Sequence, residues 1–123
     1  MKPFVCGERR YAFDITNADD MRRLEGAFAQ LCARADVLSG VEGEGAGNAS
    51  ARLSALFDAY CAFFEAVFPT RGREIVGNEP SAGHAARIFD RFCTYLRDGL
   101  QEEKRIDDAV RRMYLGERTA GDT

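Results

Sequence analysis

The residues best suited to chemistry are four cysteines and one histidine: Cys6, Cys32, Cys61, Cys93 and His84. A structural zinc site needs thiolates or imidazoles in tight local spacing, and no Cys-x-x-Cys occurs here. Each cysteine sits inside an apolar pattern, where a thiol fills space and a thiolate is disfavoured. Free buried thiols are therefore expected, although the even number leaves two disulfides as an alternative. His84 stands three residues after Ser81, close enough for a hydroxyl–imidazole pair on one helical turn. A nucleophile also needs an orienting acid and an oxyanion site, and nothing in the sequence marks either. No catalytic residue, cofactor or metal ligand is assigned, and the chain is expected not to be an enzyme.

The acids read as surface and capping groups. Asp19 and Asp20 suit the first turn of a helix. Lys104 with Asp108, Asp107 with Arg111, and Asp108 with Arg112 form i,i+4 pairs of opposite charge. The segment Asp14–Asp19 begins like a calcium loop, but the mid-loop glycine that such a loop needs is misplaced. The glycine-rich stretch 40–48 has no following Gly-Lys-Ser/Thr, and Glu42 and Glu44 would repel phosphate.

The 123 residues fit one domain, with 46% hydrophobic and 30% charged side chains. Seventeen basic against 20 acidic residues give a net charge of −3. That balance argues against a dedicated nucleic-acid binder unless the pairs Arg9-Arg10, Arg22-Arg23, Arg71/Arg73 and Arg111-Arg112 gather on one face. No apolar run is long enough to span a bilayer, and no signal-peptide core follows Lys2, so a cytoplasmic location is expected.

Hydrophobic periodicity predicts a mostly α fold: an N-terminal β-hairpin followed by a small bundle of three to four helices. Alternation through Phe4, Cys6, Tyr11, Phe13 and Ile15, with Gly7 at the turn, predicts the hairpin over 3–15. Met21, Leu24, Phe28, Leu31, Ala35 and Leu38 recur at steps of three and four, predicting a helix over 18–39 capped by Thr16 or Asn17. Residues 40–48 read as a flexible loop. A second helix, 49–68, carries apolar residues over more than half its circumference and is stopped by Pro69. Within 69–80 one short helical turn fits, with Ile75-Val76 tucked onto the core. A third helix covers 81–98. Gly99 is a point where the chain could bend or break before a charged helix over 101–115, and 116–123 read as a flexible tail.

The aromatic supply of the second helix exceeds what one face of a small bundle needs. Phe63, Phe64, Val67 and Phe68, with Tyr11 and Phe13 of the hairpin, are the candidate interface residues. Complete coverage by the other elements is the alternative.

The succession of Tyr11–Asp19, the aromatic helix Leu56–Phe68 and the unit Ile88-Phe89-Asp90-Arg91-Phe92 resembles a group of small phage- and prophage-encoded proteins of gut Gram-positive bacteria. The resemblance covers about residues 4–96. It implies a tail assembly chaperone or minor tail component that contacts itself or phage tail proteins in a bacterial host cytoplasm, and it transfers no site residue. Beside this protein-interaction reading stand two alternatives, a small regulatory nucleic-acid-binding protein and a small enzyme.

Overall fold

The computed structural model describes residues 1–39 and 49–121. The stretch 40–48, read from the sequence as a flexible loop, lies outside them. Two strands, β1 (Phe4–Cys6) and β2 (Arg9–Tyr11), precede helices α1 (Ala18–Ser39), α2 (Ala49–Val67), α3 (Gly72–Val76) and α4 (Ala82–Gly121). This is the mostly α fold with an N-terminal hairpin that the periodicity implies.

The ribbon pairs antiparallel, with Phe4 opposite Tyr11, Val5 opposite Arg10 and Cys6 opposite Arg9. Gly7 takes φ +63 in the turn, a conformation that costs glycine little. The strands are shorter than the alternation suggests, and Phe13 and Ile15 lie beyond β2. Local side-chain bonds take over there. The Asp14 carboxylate accepts from the Thr16 N–H (2.9 Å) and hydroxyl (2.6 Å). Its own N–H donates to Asp20 (2.9 Å), turning the chain into α1. Of the two possible caps, Asn17 serves: its Oδ1 accepts the Asp20 N–H at 3.0 Å.

Helices α1 and α2 form an antiparallel pair, seen in the Phe28–Phe63 ring contact at 5.0 Å and the Arg23 bond to the Val67 carbonyl at 3.3 Å. Past Phe68 the chain folds tightly back through α3. Gly72 lies so close to the Phe64 carbonyl that an added Cβ would overlap backbone. Ile75 and Val76 are buried, as their position in the sequence suggests.

Helix α4 unites the two final helices expected from the sequence and carries residues 116–121 of the expected tail. Gly99 therefore does not break it. A single glycine costs about 1 kcal/mol against alanine, too little to interrupt a run of good helix formers on both sides. The space left by its missing side chain is filled by the Met1 side chain.

Phe92, fully buried in α4, sits at the centre of the core. Its ring lies 5.1–6.1 Å from those of Phe4, Phe13, Phe63, Phe64, Phe68 and Tyr95, mostly edge to face.

This packing makes three stability predictions. Phe92→Ala should cost about 3–5 kcal/mol in denaturant unfolding, near the whole stability of a small domain. Gly72→Ala should destabilise by roughly 1–3 kcal/mol because backbone must shift. Gly99→Ala should stabilise by about 0.5–1 kcal/mol, since only the flexible end of Met1 has to move. Equal effects at the two glycines would contradict the packing described.

Candidate functional site

The six residues that the sequence offers as an interface are all buried: Tyr11, Phe13, Phe63, Phe64, Val67 and Phe68. They meet one another and Phe92 rather than solvent. The apparent surplus of aromatics arises because α2 is covered by α1, α3 and α4 together, while Tyr11 of the ribbon meets Phe68 just beyond its end. In this fold these residues are packing groups and present no surface to a partner.

The chemistry-bearing residues are dispersed. Ser81 caps α4, its Oγ accepting the His84 N–H at 3.2 Å, and both residues face solvent or its margin. All four cysteines are unpaired. Cys61 is buried with an Arg73 guanidinium donating to its sulfur, yet burial pushes its thiol up. Burial and then Asp90 push Cys93 the same way. Cys32 is exposed on α1. Among the described residues, no three His, Cys, Asp or Glu side chains converge as metal ligands would.

Arg9 and Arg71 come together beside the ribbon and are engaged there, Arg73 is engaged against α2, and Arg10 is exposed. Arg9 and Arg71 both pair with Glu74. Those two guanidiniums hold the Glu74 carboxyl below the usual range, the Arg71 bond contributing most. Arg71 also lies over the Tyr11 ring at 4.7 Å, and Arg73 faces Glu65 at 3.9 Å. Val5 and Arg10, opposite each other in the ribbon, turn their carbonyls outward. Arg91 donates to the Val5 carbonyl (3.2 Å) and Arg71 to that of Arg10 (3.0 Å). The arginines thus fasten the ribbon and close both of its edges.

An open groove of about 870 Å³ lies between the segment Met1–Val5 and one face of α4. Its α4 wall comes in pairs at 90–91, 94–95, 98–99 and 102–103, the repeat of a single helix face. Phe4 anchors the other wall by burying its ring against Phe92 and Tyr95. The Tyr95 hydroxyl donates to the Lys2 carbonyl, with the Phe13 carbonyl 3.4 Å away. Met1 and Val5 are 41% and 47% exposed at the rim. Asp98 and Glu102 line the groove, and neither takes part in the described ion pairs. Sequence reading missed this site. Its signal was an acidic pair of i,i+4 positions beside a glycine, which also describes an ordinary solvated helix.

The Tyr95 contact makes an alkaline prediction. Burial, with smaller effects from Asp14 and Asp20, pushes the Tyr95 pKa up to about 12. An unfolded tyrosine titrates near pH ~10. The folded state therefore holds this proton more tightly, and its contribution to stability is complete below pH ~10 and lost as pH rises to about 12. Thermal unfolding followed from neutral to strongly alkaline pH should show this decline. Tyr95→Phe should start less stable at neutral pH but lose less across that interval. A parallel decline in both proteins would show that Tyr95 does not carry it.

No known protein family, no curated protein and no solved structure matches the chain.

Proposed function

We propose that this is a non-enzymatic protein-interaction protein whose contact element is α4. One observation carries the reading. The last buried residue described on α4 is Leu96, whereas the helix runs on to Gly121. With 40 residues, α4 is about 60 Å long, roughly twice the length of α2. Among the described residues of its outer part none is buried, and it exposes Leu100 (56%) and Met113 (78%). An amphipathic helix that outruns its domain is suited to lie against another protein surface. The dispersed cysteines and the solvent-facing His84 favour work by contact over work by chemistry. Among the described residues no helix is long and apolar enough to cross a membrane. The resemblance to phage tail assembly chaperones and minor tail components supplies a partner class, a phage tail protein in a bacterial host.

Pull-down from the native host with the full chain tests this reading. A defined partner should be retained, and Leu100→Glu or Met113→Glu should weaken retention about tenfold while the unfolding curve stays unchanged. Retention that ignores both substitutions would place the contact elsewhere. Identification of the retained protein decides the tail assignment.

A further inference from the structure

We infer that two copies of this chain pair antiparallel through the groove-bearing face of α4, an inference that rests on α4 being the contact element. The face that lines the groove at 98–99 and 102–103 continues, at the same helical repeat, through Ala109 and Met113. Both of those residues are exposed. Near one end this face carries Gly99, whose open side is filled by the Met1 side chain, itself 41% exposed. Near the other end it carries Met113, a long apolar side chain with 78% exposure. Asp98 and Glu102 flank the first, and exposed Arg112 flanks the second.

These two ends are complementary. A second α4 laid antiparallel, with the two-fold axis crossing near residue 106, sets each Met113 against the exposed Met1 side chain that covers Gly99 of the other copy. The same operation brings each Arg112 alongside Asp98 and Glu102 of the other copy, because the three lie toward one flank of the face. A parallel arrangement in register would leave Arg112 roughly 15–20 Å along the axis from Glu102 and Asp98 of the other copy, so only the antiparallel pair brings these charges together. The groove then receives the apolar end of the second helix, and the carboxylates on its wall receive a cation.

Sedimentation of the full chain over a range of concentrations and salt tests the pairing. A dimer that weakens with added salt is expected. Asp98→Arg/Glu102→Arg in one protein and Arg112→Glu in another should each weaken self-association by about tenfold, since both symmetric contacts become repulsive. An equimolar mixture of the two variants should associate again, because both charge contacts are attractive in the mixed dimer. Circular dichroism should show both variants folded, as the substituted positions are exposed. A wild-type chain that stays monomeric at hundreds of micromolar overturns the inference. So does a dimer indifferent to the substitutions, or a mixture that fails to recover. None of these outcomes touches retention of a different protein through Leu100, which lies off the paired face, so the two readings fail separately.

Discussion

The ring of Phe92 is the contact on which the rest of the fold depends. It comes from the last helix, yet the rings that meet it belong to β1, to the segment after β2, to α2 and the residue following it, and to α4 itself. A two-stranded ribbon has little stability of its own in water. Here Phe4 and Phe13 bring it onto a surface that only α2 and α4 together can supply. The edge-to-face geometry directs each positive ring edge toward a neighbouring face, which fixes orientation as well as burying area.

Helical periodicity made α1 and α2 legible in the sequence, because α1 packs its stripe from Met21 to Leu31 on the core, short of exposed Ala35, and α2 packs apolar residues on several sides. The short turn α3 was legible through Pro69 and Gly72 on one side and the Ile75-Val76 pair on the other. Two features were not. Gly99 looks like a stop, since a lone glycine in a charged stretch carries no sign of what neighbours it in space. Only the fold shows Met1 lying across it. The aromatic excess of Phe63, Phe64 and Phe68 looks like an interface because a sequence cannot show how many elements cover one helix. The groove was invisible for a related reason, as one of its walls is an extended segment far away along the chain.

Charge is distributed according to structural task. The described ion pairs stand where elements must be held: two at the first turn of α1, and three around α3 and the ribbon. Such exposed pairs contribute little energy singly, but Arg71 combines a carboxylate, a backbone carbonyl and an aromatic face. Among the described residues, the carboxylates of α4 beyond Leu96 enter no ion pair.

The distance along the chain between the ribbon and its seat has a consequence for biosynthesis. Residues 4–13 leave the ribosome well ahead of Arg91, Phe92 and Tyr95, the α4 residues that hold them. At about 5–20 residues per second that interval lasts several seconds. Throughout it Phe4, Tyr11 and Phe13 have no completed core to enter, and the arginines that later occupy the ribbon's outward carbonyls are not yet made. The nascent amino-terminal segment is thus the part of this protein most exposed to wrong association, and the last helix to emerge is the one that ends that exposure.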